Sequence, residues 1–308
     1  MVITALLFLL GIALLVKGAD YFVDGGGGLA ARYGVSPTTI GFTVIAFGTS
    51  LPEWVVSVNA VIIDAPDIAF GNVVGSNIAN IALVLALCAA LKPAITGHDP
   101  GSQATLMHET WLMIAATAAF LLLALRGVID LAAGVLLLAV FAAILRTLWK
   151  HASAGGEPVQ SHGKNDYIMT FGGLVAVIAG AQIVLDSAVS LATLFGVPAF
   201  IIGLSMVAVG TSLPELVTSV VAIAKGNPGI SVGNILGSNI FNILFVLGCG
   251  ALIRPVPVPG IRDIAVMGII SLAVVPLFFG TDRFTRGWAV LLLAAYAAYM
   301  AVLFGMLP

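Results

Sequence analysis

Two glutamates stand where a carboxylate is expensive. Glu53 and Glu215 each close the run Gly-Thr-Ser-Leu-Pro-Glu, inside apolar segments long enough to cross a bilayer. An ionisable side chain at that depth costs ~2.5–3.5 kcal/mol on insertion scales, so its presence points to a task. The preceding proline, Pro52 or Pro214, lacks an amide N–H, and its ring crowds the carbonyl four residues back, at Gly48 or Gly210. The helix is expected to kink or open there, freeing carbonyl oxygens beside Thr49, Ser50, Thr211 and Ser212. Carbonyls, hydroxyls and carboxylates are hard oxygen donors, suited to Na⁺, Ca²⁺ or Mg²⁺ rather than to soft metals. The stretch has the make-up of a cation site.

A second duplicated run supplies further donors. Gly71-Asn72-Val-Val-Gly75-Ser76-Asn77-Ile-Ala-Asn80 is answered by Gly233-Asn234-Ile-Leu-Gly237-Ser238-Asn239-Ile-Phe-Asn242. The small residues allow backbones to approach closely in a membrane, and the hydroxyls can coordinate or bridge. Asn80 follows Ser76 by four residues and Asn242 follows Ser238 likewise, so each pair shares a helix face. Two glutamates, two asparagines, two threonines and four serines can then converge from four helices.

The elements that must position them are membrane spans. With 60% hydrophobic and 8% charged residues and a mean hydropathy of +1.16, the chain departs far from a soluble domain. Its apolar runs are continuous and about 20 residues long, which indicates helices rather than barrel strands. The expected fold is an all-α polytopic membrane protein. Ten spans are expected near 2–25, 37–63, 68–91, 105–125, 128–149, 166–191, 199–224, 229–252, 262–280 and 286–306. Residues 150–165 form the one hydrophilic connection of any length, read as a flexible cytoplasmic linker. The first apolar segment has no basic n-region and reads as a retained span. Cys88 and Cys249 stand alone in apolar segments and read as core thiols, and a net charge of −2 gives no hint of nucleic-acid binding.

The two motifs keep one spacing: 215 − 53 and 242 − 80 both equal 162, and Gly18-Ala19 and Asp24 recur as Gly180-Ala181 and Asp186 at that offset. Constant offset indicates duplication without insertion. Five spans per copy make the halves, 1–149 and 166–308, enter the membrane in opposite senses. Such inverted-topology repeats are typical of secondary transporters, with the substrate site at their interface. Lys17, Arg32, Lys92, Arg146, Lys150, Lys164, Lys225, Arg283 and Arg286 fall on the cytoplasmic side if both termini lie outside the cell membrane. Only Arg126, Arg254 and Arg262 then lie outside, which fits the positive-inside rule.

Blander readings stand beside these. Ser76, Ser238, Asn80 and Asn242 can serve as helix bridges, and Asn72, Asn77, Asn234 and Asn239 are evenly balanced between bridge and ligand. Lys17, Asp20 and Asp24 read as an interfacial or intrahelical ion pair. Gly25 to Gly28 reads as a helix end or hinge, and His98, Asp99, His108 and Glu109 as a solvated connection rather than a peripheral metal site. A channel would need a continuous pore in place of an occludable cage. No nucleophile–base pair within the spans supports an enzyme, and no cofactor is required.

The paired Gly-Thr-Ser-Leu-Pro-Glu and Gly-Asn-x-x-Gly-Ser-Asn-Ile-x-Asn motifs resemble the α-repeats of the sodium/calcium exchanger family, among the Ca²⁺/cation antiporters. The likeness is to its short prokaryotic members. The resemblance implies transported ions, Na⁺ and Ca²⁺, and two pseudo-symmetric sites. One uses the Ala46 carbonyl with Thr49, Ser50, Glu53 and Ser76; the other uses the Ala208 carbonyl with Thr211, Ser212, Glu215 and Ser238. It also implies Ca²⁺ between Glu53 and Glu215, with Asn80 and Asn242 lining the middle, and a sliding of the first and sixth spans over the bundle. Relatives often carry aspartate where this chain has Asn242, which leaves a proton-coupled or monovalent-cation antiporter (H⁺ or Li⁺ as ions) as the alternative. Three carboxyls a few ångströms apart do not all ionise, since like charges repel, and asparagine is close in shape to the neutral acid.

Overall fold

The computed structural model describes residues 2–93, 100–151, 163–196, 210–279 and 281–304. Apolar helices dominate because in hydrocarbon every backbone amide must find its partner within the segment. The helices are α1 (Val2–Tyr33), α2 (Pro37–Thr49), α3 (Leu51–Ile62), α4 (Pro66–Leu91), α5 (Pro100–Ala124) and α6 (Leu131–His151). After residues 152–162 come α7 (Asn165–Leu194), α8 (Leu213–Ala224), α9 (Pro228–Ile253), α10 (Ile261–Phe278) and α11 (Asp282–Leu303). Eight of these are long and apolar enough to span alone, and α2 with α3 makes a ninth span bent by 44°. With α8, the described part of the span expected at 199–224, the ten expected helices are accounted for. The single non-helical pairing among the described residues is a two-residue antiparallel ribbon. Its β1 (Val128–Ile129) lies against β2 (Val256–Pro257), with Val128 opposite Pro257 and Ile129 opposite Val256.

Helices α1 and α7 show the inverted repeat directly. They are equivalent elements, since Gly18 and Gly180 stand one repeat apart, yet they pack antiparallel. A Cβ on Gly11 would meet Val184, on Gly18 the Val177 amide at 2.7 Å, and on Gly25 the Thr170 amide at 2.5 Å. From the other side, Gly180 abuts the Leu15 amide and Gly173 the Phe22 amide, each at 2.5 Å. Glycine here permits backbone-to-backbone contact, the main source of helix association where lipid competes equally for apolar side chains. Gly25 to Gly28 is therefore no helix end or hinge: α1 runs unbroken through it to Tyr33, and all four glycines are buried. They make room for Ile45 of α2 and for Asp166 and Thr170 of α7.

The core is built on α4 and α9, the two most enclosed spans, which carry the duplicated asparagine motif. Gly229, Gly233 and Gly237 of α9 bring its backbone onto Thr38, Phe42 and Ala46 of α2. Both α4 and α9 widen to π-helix where their motifs end, at Asn80–Leu85 and Phe241–Val246, and α2 does so at Gly41–Ile45. Such bulges lift backbone out of the regular ladder and concentrate at functional sites.

The connection expected around residues 98–109 needs correction. His98 and Asp99 lie outside the described residues, but Glu109 is 1% exposed inside α5. The ion pair expected of Lys17, Asp20 and Asp24 is also larger than one helix. Lys225, at the end of α8, reaches Asp20 at 2.7 Å and Asp24 at 2.5 Å, while Lys17 lies 3.7 Å from Asp20.

Candidate cation site

Each glutamate sits in the first turn of a helix that a proline starts. Pro52 and Pro214 occupy the opening positions of α3 and α8, where a missing N–H costs nothing. Ser50 and Ser212 break the preceding backbone with nearly identical dihedrals, φ −88° and ψ 6° against φ −85° and ψ 6°. Helix N-termini carry partial positive charge, so Glu53 and Glu215 are placed where an anion is favoured. The expected kink is present before Glu53, where α2 and α3 are bent by 44°, while the segment leading to Gly210 lies outside the described residues. The Ala46 carbonyl remains engaged, however, accepting from the Ser50 amide at 3.1 Å, while Thr49 Oγ1 lies 3.4 Å from it but directs its one proton to Asn234. Its second lone pair is what a cation would use. Ala208 lies outside the described residues.

Hydroxyls join the repeats. Ser50 Oγ donates to Glu215 Oε1 at 2.9 Å, and Ser238 Oγ approaches the same oxygen at 3.5 Å. Thr49 Oγ1 donates to Asn234 Oδ1 at 3.0 Å and lies 3.5 Å from Ser238 Oγ. The equivalent contacts recur one repeat away: Thr211 Oγ1 to Asn72 Oδ1 at 3.4 Å, and to Ser76 Oγ at 3.3 Å. Asn72 and Asn234 in turn donate to Ser57 and Ser219 at 2.9 and 3.0 Å. These amides are braces that hold each threonine, a role that spacing alone left open and that the matching Ser57 and Ser219 could have signalled. Asn77 and Asn239 cross-link the repeats through each other's backbone carbonyls at 3.0 and 3.4 Å, and Asn80 donates to Asn239 Oδ1 at 3.1 Å.

The symmetry fails where charge is concentrated. Ser50 holds Glu215, but among the described residues the equivalent Ser212 Oγ has no partner, and neither has either carboxylate oxygen of Glu53. Glu215 Oε2, Asn80 Oδ1 and both amide atoms of Asn242 are likewise buried, without partners among the described residues. Leaving a buried polar atom unsatisfied costs about 1–3 kcal/mol, more for a charge, so a cluster of them calls for an explanation. A hard cation is one candidate, since it can be coordinated by carboxylate, hydroxyl and amide oxygens, though not by the Asn242 Nδ2 donor. Glu53 also feels the charge of Glu215. Among the described residues no three His, Cys, Asp or Glu side chains form a metal-holding group. The candidate donors combine two carboxylates with hydroxyl and amide oxygens, a mixture that suits hard ions.

Ten of the twelve expected side-chain or carbonyl donors thus lie buried in one region: Thr49, Ser50, Glu53, Ser76, Asn80, Ser212, Glu215, Ser238, Asn242 and Ala46. Thr211 is half-buried beside them. The chain matches the sequence profile described as sodium/calcium exchanger protein over residues 3–150 and 166–305. It is 34% identical to a putative antiporter, CaxA, of Alkalimonas amylolytica, across 99% of both chains. It is 31% identical to the sodium/calcium exchanger MaX1 of Methanosarcina acetivorans, across 97% of this chain and 98% of that one. Its structure is similar to that of the sodium-calcium exchanger NCX_Mj soaked with Na⁺ and Ca²⁺, with a TM-score of 0.83, 34% identity and 98% of each chain covered. The fold, the duplicated motifs and these likenesses together place the chain in the sodium/calcium exchanger family, a family of membrane transporters rather than enzymes.

Proposed function

We propose that the protein exchanges Na⁺ for Ca²⁺ across the cell membrane by alternating access. Glu53 and Glu215 supply the charge, and Thr49, Thr211, Ser50, Ser212, Ser76, Ser238, Asn80, Asn242 and the carbonyls of Ala46 and Ala208 complete the donors. The observation that carries this reading is the cluster of buried oxygens, without partners among the described residues, around two glutamates that each sit in the first turn of a proline-opened helix. The soaking ions of NCX_Mj and the name of MaX1 support the choice of Na⁺ and Ca²⁺.

Obligatory exchange follows from electrostatics. Empty, the cage holds two carboxylates that occlusion would strip of water, at several kcal/mol per ion. One Ca²⁺ or two Na⁺ neutralise them and three Na⁺ leave a single positive charge, so loaded forms pass through the occluded state more readily than the empty form. In this reading residues 1–149 and 166–308 are the repeats, 150–165 is a cytoplasmic linker, and both termini face outside. One observation favours the same fold coupled to protons or monovalent ions: position 242 offers an amide in place of a third carboxyl.

Glu53→Gln and Glu215→Gln each keep shape and remove a charged donor. In proteoliposomes each variant loses both Ca²⁺/Ca²⁺ and Na⁺/Ca²⁺ exchange. A near-parental rate in either single variant refutes the assignment.

A further inference from the structure

Helix α5 buries a third carboxyl that the cation cage does not use. Glu109 is 1% exposed, and neither of its carboxylate oxygens has a hydrogen-bond partner among the described residues. Its direction follows from helical periodicity. Leu106, Glu109, Met113, Ala116 and Phe120 form the buried stripe of α5. One turn beyond Glu109, Met113 Sδ accepts from Asn239 Nδ2 of α9 at 3.7 Å, so Glu109 faces the same side. Asn239 is the residue that bonds Asn77 and Asn80 of the other repeat. An unpartnered acid therefore stands one helical turn from the bridge between the repeats.

Little around it carries charge. Among the elements packed on α5, α9 contributes one titratable residue, Cys249, and α4 contributes Asp67 and Cys88, whose thiol accepts from Ser231. Arg146, Lys150 and His151 lie in the last two turns of α6, Arg126 and Asp130 pair with each other beside β1, and Arg262 and Asp263 open α10. Asp263 is engaged by the Tyr299 hydroxyl, and His108 adjoins Glu109 on its own helix. No ion pair reaches Glu109 among the described residues. An ionised carboxylate there would surrender its hydration with nothing in exchange. A proton is the one cation that needs no cage.

We propose that Glu109 is a proton-binding site of the protein, separate from the cation cage. In its neutral form it lets α5 lie against α9. Loss of the proton at alkaline pH leaves a bare anion beside the Asn239 bridge and slows transport. Only this last, kinetic consequence rests on the antiport reading.

The test is labelling of the purified full-length protein with N,N′-dicyclohexylcarbodiimide, read residue by residue in the mass spectrometer. The acid proton passes to a carbodiimide nitrogen, the carboxylate oxygen adds to the central carbon, and an acyl shift to nitrogen leaves a stable N-acylurea. The reagent thus reports carboxyls that hold a proton in apolar surroundings. Glu109 takes the label at neutral pH, keeps taking it under saturating Ca²⁺, and loses it as pH rises, whereas Ca²⁺ protects Glu53 and Glu215. In flux assays Glu109→Gln retains exchange at neutral pH and lacks the alkaline decline of the parent. Absence of label at Glu109, or its protection by Ca²⁺ with the same concentration dependence as Glu53 and Glu215, overturns the proposal. If Glu109 is labelled while Ca²⁺ fails to protect the other two, the cage reading falls and the proton site stands. The labelling is read on the parent, so it does not depend on the variant folding.

Discussion

Replacing Gly237 with alanine should disable the cation site without touching any of its donors. A Cβ at Gly237 would run into the Phe42 carbonyl oxygen and lie 2.7 Å from Ala46 Cβ and 2.8 Å from the Phe42 carbonyl carbon, where ordinary contact begins at 3.4 Å. Helices α9 and α2 must therefore part by at least ~0.7 Å in a core packed as densely as a crystal. Overpacking of this kind costs ~1–3 kcal/mol. Ser238, the next residue, moves with the helix, and its approaches to Thr49 and Glu215, both already 3.5 Å, are lost. The Thr49–Asn234 bond at 3.0 Å is strained by the same shift, each such bond contributing about 0.5–1.5 kcal/mol. At ~1.4 kcal/mol per decade, Ca²⁺ affinity should fall about 10- to 100-fold. Equilibrium ⁴⁵Ca²⁺ binding and thermal unfolding of the purified protein measure the two effects. Gly250→Ala is the control on the same helix, since its Cβ would meet Val61 at an ordinary 3.4 Å and Val256 at 3.8 Å. Parental binding by Gly237→Ala, or equal damage from Gly250→Ala, refutes the packing argument.

Lys225→Gln removes the cation that ties α8 to Asp20 and Asp24 of α1. Because all three side chains are partly solvated, the loss is set at ~1 kcal/mol and shrinks in high salt, and an unchanged unfolding midpoint in low salt contradicts the bridge. Cysteines placed at Ser161 and Pro308, in a background lacking Cys88 and Cys249, should differ in their reaction with an impermeant reagent outside intact cells. Position 308 reacts and position 161 does not; equal reactivity contradicts the orientation. Asn242→Asp should leave Ca²⁺ exchange intact at neutral pH and add a rise in Ca²⁺ affinity at alkaline pH that the parent lacks. A variant that gains Ca²⁺ flux where the parent has none would favour the monovalent or proton-coupled alternative.

Much of the site was legible because its signals are local and repeated. Proline before glutamate in an apolar run predicts a broken helix, and the bend at Ser50 is that break. The offset of 162 predicts pseudo-symmetric partners, and the Asn77–Asn239 exchange joins two residues separated by it. What escaped depends on contacts between distant segments. Gly25 to Gly28 reads locally as a helix breaker, but α7 packs onto it and the helix continues. Glu109 follows His108 near polar residues and reads as solvated, until the buried stripe of α5 is closed by α9. Lys225 finds its carboxylates on α1, some two hundred residues away, which no spacing rule anticipates. The π-turns at Asn80–Leu85 and Phe241–Val246 have no signature in composition.

The central claim is that two glutamates make a Na⁺-coupled Ca²⁺ cage, and one flux experiment addresses it. The protein is reconstituted into proteoliposomes loaded with Na⁺, K⁺, Li⁺ or an acidic buffer in turn, and ⁴⁵Ca²⁺ uptake is followed after dilution into an ion-matched medium. The account predicts rapid uptake driven by the outward Na⁺ gradient and abolished by Glu53→Gln or Glu215→Gln. Uptake driven by the proton gradient and indifferent to Na⁺, or a protein silent for Ca²⁺ at every pH, would contradict it.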